Sequence, residues 1–167
     1  MGRNRSQCRM NLCEIVSKDA IIPALESTTR DEAIAEMVDI LIEADRVGSD
    51  LRGTVIEALL ERERKGSTGF GKGVAVPHVK VEGMDGMAAA VGLSAEGIEF
   101  NSLDKQPVHS VFLLLSPSDD PERHLRAMEV IFGYLSQDRF RRFLQQSSDA
   151  DEVWTLLEDA DHERLGG

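Results

Sequence analysis

The sequence predicts one α/β domain in which a mixed β-sheet lies between two layers of helices. Three observations predict it: apolar residues recur at helical spacing in several segments, short β-prone runs separate those segments, and Val108 to Leu115 is almost wholly apolar. An uninterrupted apolar run is typical of a central strand that is covered on both faces. The chain of 167 residues has the length of a single domain.

The first half of the chain predicts a strand followed by two helices. The apolar run from Ile21 to Leu25 is strand-sized, and Thr28 with Asp31, or Thr29 with Glu32, is a capping signature for the helix that follows. A second helix is expected to begin at a cap, Asp50. The apolar faces consist of Ile34, Met37, Val38, Leu41 and Ile42 in the first helix and Val55, Ile56, Leu59 and Leu60 in the second.

The second half predicts strands at Val74–Val76, at Met87–Leu93 and at Val108–Leu115, and then helices. An acidic cap followed by Pro121 is a strong helix start. The helix that begins there is expected to bury Leu125, Met128, Ile131, Phe132 and Leu135. Short helices near 139–144 and 151–157 complete the chain. We therefore predict a disordered tail at 1–9, a domain at 10–158 and a frayed tail at 159–167.

Charge and cysteine content limit the classes of partner. Nineteen basic residues against 30 acidic ones give a net charge of −11, which disfavours nucleic acid as a partner. Cys8 and Cys13 form neither a redox pair nor half of a zinc site, so a reducing, cytoplasmic compartment fits best. No apolar run reaches the roughly 18 residues of a membrane-spanning helix, so membrane insertion is not expected.

A glycine-rich segment, residues 66–73, is the first candidate for chemistry. It resembles a nucleotide-binding P-loop, but Gly73 stands where a magnesium-binding Ser or Thr is needed, and the segment follows a helix and opens a strand, the reverse of the required order. Glycines still allow backbone N–H groups to approach an anion. We therefore expect a loop that cradles a phosphate, formed by Gly66, Ser67, Thr68 and Gly69.

Two of the four histidines are candidates for catalysis. His78 follows a strand and Pro77, and His124 lies in the first turn of the helix opened by Pro121, where free N–H groups favour an anion. His109 inside a strand has the pattern of a structural residue, and nothing is assigned to His162. The chain has no zinc-ligand spacing and no Gly-x-Ser-x-Gly motif, so we expect neither a metal or other cofactor nor a serine nucleophile. A histidine that is itself the nucleophile remains.

The stretch Leu60-Glu-Arg-Glu-Arg-Lys-Gly-Ser-Thr-Gly-Phe-Gly-Lys-Gly-Val-Ala-Val-Pro-His78, with the later pair His124-Leu125, resembles enzyme IIA of the phosphoenolpyruvate:sugar phosphotransferase system. The similarity is to the mannitol/fructose class and its nitrogen-regulatory branch, and it covers roughly Met10 to Glu158. The resemblance implies the mannitol-type enzyme IIA fold. It also implies that His78 carries a phosphoryl group, that His124 helps to hold it, and that Arg62, sixteen residues before His78, lies near it.

The resemblance implies a donor, the phosphocarrier protein HPr, and leaves the acceptor open. One hypothesis is a sugar-uptake component that passes phosphate to a separate IIB domain. A second, favoured by the Gly-Ser-Thr-Gly motif, is a regulatory protein whose phosphorylation state controls a partner. A third is a binding module that is not phosphorylated. The sequence departs from the family at Val79, usually a small residue, and this β-branched side chain is expected to crowd the surface where the donor docks.

Overall fold

This computed structural model describes residues 10–166, in which helices lie before and after an uninterrupted series of five strands. In chain order the elements are α1 Leu12–Ile15, β1 Val16–Ile22, α2 Arg30–Glu43, a short 3-10 helix Ser49–Leu51, α3 Arg52–Arg64, β2 Gly69–Gly71, β3 Val74–Ala75, β4 His78–Val81, β5 Ala88–Ile98, β6 Val108–Pro117, α4 Pro121–Leu135, α5 Asp138–Gln146 and α6 Ala150–Gly166. Within this part of the chain, none of the helices combines the length and apolar character that crossing a membrane requires. The tail predicted at 1–9 lies outside the described residues.

The sheet is mixed, as predicted. β5 and β6 form an antiparallel central pair, β1 lies parallel to β5, and both β3 and β4 lie parallel to β6. β2 pairs with β3 across a tight turn in which Lys72 and Gly73 both have positive φ, 59° and 77°. Among the described strands, β4 has a paired neighbour on one side only. His78, the first residue of β4, therefore lies at a sheet edge.

β6 shows why helices cover both faces of the sheet. Successive side chains of a strand point to opposite faces. Phe112 and Leu114 pack with residues of α1, α4, α5 and α6, whereas Leu113 and Leu115 pack with residues of α2 and α3. All four side chains are buried. The predicted α/β/α layering and the central strand are confirmed.

Two predicted starts are displaced. The first strand is Val16–Ile22, earlier than the predicted run at 21–25, because pairing with β5 already begins at Val16 and the strand ends before Pro23, which lacks a backbone N–H. The predicted cap Asp50 lies within the 3-10 helix, and α3 begins at Arg52 without a side-chain cap. The other capping prediction is confirmed, because the Thr29 hydroxyl accepts the N–H of Glu32.

α4 runs as predicted from Pro121, but its buried face is narrower than the sequence suggests. Leu125 is 60% exposed and Phe132 is 36% exposed, so the prediction that both are buried is wrong. The sheet covers only one stripe of the helix, which consists of Ala127, Met128, Ile131 and Leu135. Phe132 instead packs its ring against Phe70 of β2, with ring centroids 4.9 Å apart.

The chain end also differs from the prediction of a frayed tail from residue 159, because α6 continues to Gly166. Ala160 and Asp161 are both buried. The Asp161 carboxylate accepts the N–H groups of Leu12 at 2.8 Å and Cys13 at 3.0 Å at the start of α1. A buried carboxylate needs such partners, so the last helix and the first one hold each other in place.

Candidate functional site

His78 has one ring nitrogen fixed by the backbone. Pro77 interrupts the strand, yet its carbonyl oxygen accepts the N–H of Leu114 at 2.9 Å, which keeps the segment on β6. The Nδ1 of His78 lies 2.7 Å from the carbonyl oxygen of Val76. A carbonyl oxygen can only accept, so Nδ1 carries a proton and donates it. The Nε2 of the neutral ring therefore keeps its lone pair.

His124 faces this ring from the first turn of α4. The two ring centroids lie 5.7 Å apart, with the planes inclined at 41°. The Nδ1 of His124 lies 2.7 Å from the Oγ of Ser116, a fully buried residue of β6. A hydroxyl can donate or accept. When Ser116 donates to Nδ1, the Nε2 of His124 carries the proton and is a hydrogen-bond donor.

Both histidines are held neutral. Burial lowers the pKa of His78 below its usual value of about 6.5, and the charge of Arg62 lowers it further, against the opposing effects of the Val76 carbonyl and the Glu63 carboxylate. Burial also lowers the pKa of His124, with help from His78 and Lys80. At neutral pH, Nε2 of His78 is therefore unprotonated and able to act as a nucleophile.

Among the described residues, Arg62 is a cation without an ion-pair partner. Its guanidinium donates to the carbonyl oxygen of Gly66 at 2.9 Å. The next arginine on α3, Arg64, forms an ion pair with Glu61 at 2.8 Å. Within residues 10–166, no carboxylate lies within ion-pair distance of Arg62. Its effect on the pKa of His78 places this charge within electrostatic reach of the ring.

The predicted phosphate-cradling loop has different hydrogen bonds from those expected. The N–H of Gly66 donates to the carbonyl oxygen of Glu63 at 3.2 Å, the N–H of Thr68 to the Glu63 carboxylate at 3.1 Å, and the N–H of Gly69 to the Oγ of Ser67 at 3.0 Å. Three of the four amides that were expected to bind an anion thus already have acceptors, two of them on Glu63 of α3 and one on the Ser67 side chain. The loop instead positions Arg62, through the carbonyl of Gly66.

A buried carboxylate that the sequence analysis did not assign supports the site. Glu63 is only 4% exposed and accepts both the N–H and the hydroxyl of Thr68. The Thr68 carbonyl in turn accepts the N–H of Val76 at 3.1 Å, and Val76 holds His78. A signal was present in the sequence, because Glu63 continues the stripe of Val55 and Leu59 at a spacing of four residues.

Ser116 was also missed. Its signal is a hydroxyl placed directly after the apolar run of β6, where an unpaired polar group would be costly to bury. The start of α4 departs from the expectation as well. Pro121 has no N–H, and Asp120 accepts the N–H of Arg123 on its carboxylate at 3.2 Å and that of His124 on its carbonyl at 3.3 Å. Because these backbone groups are absent or already bonded, the hydrogen-bond donor that α4 offers to the site is the His124 ring.

The remaining predicted residues lie apart from this pair of rings. His109 donates its Nδ1–H to the carbonyl of Ser94 at 2.9 Å, and His162 is exposed on α6. Val79 is half-buried against the cluster of α2 and α3, on the opposite face of β4 from His78, so the expected crowding of the donor surface is not supported. Within residues 10–166, no group of three or more His, Cys, Asp or Glu side chains is arranged to hold a metal ion.

Comparison with known proteins identifies the family. Residues 14–160 match the family model of the phosphoenolpyruvate-dependent sugar phosphotransferase system, EIIA 2. The chain is 34% identical over 148 residues to a nitrogen regulatory protein of Bradyrhizobium diazoefficiens, covering 89% of this chain and 95% of that protein. It is 32% identical over 152 residues to the fructose-specific EIIABC component of Bacillus subtilis, covering 91% of this chain but only 24% of that longer protein.

Comparison with solved structures agrees with this family. The nitrogen regulatory protein IIA-Ntr of Neisseria meningitidis superposes with a TM-score of 0.78 at 30% identity, covering 86% of this chain and 97% of that one. The mannitol enzyme IIA of Escherichia coli, solved in complex with phosphorylated enzyme IIB, shares the fold, with a TM-score of 0.70 at 20% identity over 86% of this chain and 96% of that one. The chain belongs to the EIIA type 2 family of the phosphoenolpyruvate-dependent sugar phosphotransferase system, a family of phosphocarriers.

Proposed function

We propose that Nε2 of His78 accepts a phosphoryl group from an HPr-type phosphocarrier protein and later passes it to an acceptor protein. One observation carries this proposal: the Nδ1–H of His78 is committed to the Val76 carbonyl at 2.7 Å, while a second histidine ring lies 5.7 Å away. The carbonyl fixes both the tautomer and the orientation of the ring. Nε2 is then the only ring nitrogen of His78 with a free lone pair.

The transfer balances without a metal or a base. The lone pair on Nε2 attacks phosphorus, the new N–P bond forms as the N–P bond of the donor phosphohistidine breaks, and the donor imidazole leaves with the electron pair. His78 then carries a positive charge on its ring and keeps its proton on Nδ1. The Val76 carbonyl, at 2.7 Å, accepts a stronger hydrogen bond from this charged ring.

Charge on the phosphoryl oxygens is stabilised from two sides. Arg62 supplies a cation that no carboxylate within residues 10–166 neutralises. His124 supplies an Nε2–H donor when Ser116 donates to its Nδ1. Phosphoryl transfer depends mainly on such positioning and charge stabilisation, so these two groups act on the transferring phosphoryl. A phosphorylated histidine fits this site better than the third hypothesis, a module that is never phosphorylated.

For the acceptor, we favour a regulated protein in nitrogen-type control. The similarity to the Bradyrhizobium nitrogen regulatory protein extends over 95% of its length. The second candidate is a IIB domain in fructose- or mannitol-type sugar uptake, supported by the match to the Bacillus EIIABC component and by the mannitol IIA–IIB complex. A cytoplasmic location is part of the same proposal, because the donor is a cytoplasmic phosphocarrier.

The proposal is tested by incubating the chain with phosphoenolpyruvate, enzyme I and HPr and measuring its intact mass. We expect one acid-labile increment of about 80 Da, a single phosphoryl group on one nucleophile. The purified phosphoprotein is then mixed with a fructose- or mannitol-type IIB domain. Retention of the phosphate supports the regulatory function, and rapid discharge to IIB supports the sugar-uptake function. No mass increment with an active donor would overturn the proposal.

A further inference from the structure

We propose that Lys80 is a further phosphoryl-binding residue, whose ammonium group contacts the phosphoryl group carried on His78. The inference rests on the function proposed above. It adds a second cation to a site in which His78 and His124 are neutral and Arg62 carries the positive charge.

The register of β4 places Lys80 on the same side of the sheet as His78. The two residues are two positions apart on one strand, so their side chains point to the same face, with Cα atoms about 6.6 Å apart. Val79 and Val81, which alternate with them, pack into the cluster of α2 and α3 on the opposite face. Lys80 therefore shares the face of β4 that α4 covers with His124.

The neighbouring strand brings Lys80 to the second histidine. Lys80 lies directly opposite Ser116 in the parallel pairing of β4 and β6, and Ser116 contacts His124 Nδ1 at 2.7 Å. Residues opposite each other in a parallel pair point to the same face. The ammonium charge also reaches the His124 ring, because it contributes to the lowered pKa of that residue. Lys80 thus lies on the same strand face as His78 and within electrostatic reach of the His124 ring.

In the part of the chain that the structure describes, Lys80 likewise has no ion-pair partner. Its side chain is exposed, and within residues 10–166 no carboxylate lies within ion-pair distance of it. A chain with a net charge of −11 offers many acidic partners for an exposed lysine. A phosphoryl group on Nε2 of His78 would bring a dianion to the face on which this lysine lies. A flexible ammonium group is a common phosphate ligand.

The chemistry predicts a moderate effect. Lys80 is exposed to water, so its contribution is smaller than the 10²- to 10³-fold typical of a buried electrostatic stabiliser. We expect about a tenfold slower phosphorylation in Lys80→Gln. Lys80→Arg keeps the charge and the donors, so it should retain most of the wild-type rate. The cation should also hold the second pKa of the phosphoryl group below its value in free phosphohistidine.

The test uses a small donor, phosphoramidate, so that no partner protein can account for the result. Attack by His78 breaks the P–N bond of phosphoramidate and releases ammonia. The rate of labelling is followed by intact mass, and the phosphoryl group is titrated by ³¹P NMR. The matched control is Lys18→Gln, because Lys18 is an exposed lysine on β1, the strand at the opposite edge of the sheet. It should behave as wild type in both measurements, whereas Lys80→Gln should be slower and should show a raised phosphoryl pKa.

Two outcomes would overturn the inference. One is a Lys80→Gln variant with the wild-type rate and phosphoryl titration. The other is a variant that is slowed with HPr but unchanged with phosphoramidate and in the titration, which would make Lys80 a contact for the donor protein. Failure of the wild-type chain to be labelled by either donor would instead overturn the proposed function, so the two failures can be distinguished.

Discussion

His78 and His109 make the same hydrogen bond in two different regions of the molecule. Each lies on a strand, and each donates its Nδ1–H to a backbone carbonyl, at 2.7 Å for His78 and 2.9 Å for His109. The tautomer is therefore the same, with Nε2 unprotonated in the neutral ring. The difference in the roles that we propose for the two rings must therefore come from what surrounds each ring.

The surroundings differ in space and in charge. A Cβ atom at Gly97 would lie 3.1 Å from Cε1 of His109, and one at Gly73 would lie 3.5 Å from its Cδ2, so this ring fills space that two glycines leave open. His78 instead lies at a sheet edge beside a second histidine and the charge of Arg62. Both rings offer an unprotonated Nε2, and of the two it is His78 that has a second histidine ring and a cation beside it, so we propose His78 as the phosphoryl carrier.

Replacing each ring in turn should give the largest difference between the two histidines. His78→Gln should reduce phosphorylation by at least about 10³-fold, the order of effect seen when a nucleophile is removed. His109→Gln should be phosphorylated at a rate within about twofold of wild type, because its ring only packs. Intact mass measured over a time course with phosphoenolpyruvate, enzyme I and HPr checks both. Efficient labelling of His78→Gln would refute the assignment.

Arg62 tests whether charge distinguishes the two regions. Arg62→Ala should slow phosphoryl transfer by about 10²-fold, as expected for the loss of one electrostatic stabiliser. The matched control is Arg64→Ala on the same helix, which loses only an exposed ion pair with Glu61 and should keep the wild-type rate. Initial rates of labelling compare the two variants. Equal rates for both would mean that Arg62 has no role in transfer.

Removing the His124 ring should slow phosphoryl transfer less than removing the charge of Arg62. His124→Ala should still accept phosphate on His78, but about tenfold more slowly, because the site loses one hydrogen-bond donor. His124→Gln keeps a donor and should be faster than His124→Ala. Peptide mapping of the labelled variants locates the phosphate. Variants indistinguishable from wild type would make His124 structural, and phosphate on His124 in the wild-type protein would reverse the roles of the two rings.

The smallest expected effect is on stability. Burial and Arg62 lower the pKa of His78 in the folded chain, against Glu63 and the Val76 carbonyl, so the unfolded chain binds a proton at His78 at a higher pH than the folded chain does. Stability must then decrease as the pH falls below about 6.5 towards the lowered pKa of the folded state.

Urea unfolding at pH 7.5 and pH 5.5 measures this linkage. His78→Gln has no ring to protonate, so it should lose less stability than wild type between the two pH values. The comparison of the two losses removes the contribution of the shared titrating groups that His78 does not affect, and it retains a part from His124, whose pKa His78 lowers. An equal loss in both would show that the pKa of His78 is not lowered by folding.

Short motifs predict His78, His124 and Arg62 from the sequence. The structure places the rings of His78 and His124 5.7 Å apart and the charge of Arg62 within electrostatic reach of His78, and their roles in phosphoryl transfer stay predictions. Periodicity could not show that Leu125 and Phe132 are exposed, because the width of a buried helix face depends on what packs against it. The loop amides were misjudged because Glu63, one turn before the loop, accepts from Gly66 and Thr68, and such a pairing appears only in three dimensions.

The atom that carries the phosphate tests the central claim most directly. The chain is labelled with ¹⁵N-histidine, phosphorylated, and examined by long-range ¹H–¹⁵N NMR, which separates the two ring nitrogens of each histidine. Since Nδ1 of His78 donates to the Val76 carbonyl at 2.7 Å, we predict phosphate on Nε2 of His78 with the proton retained on Nδ1. Phosphate on Nδ1 of His78, or on either nitrogen of His124 or His109, would contradict the account.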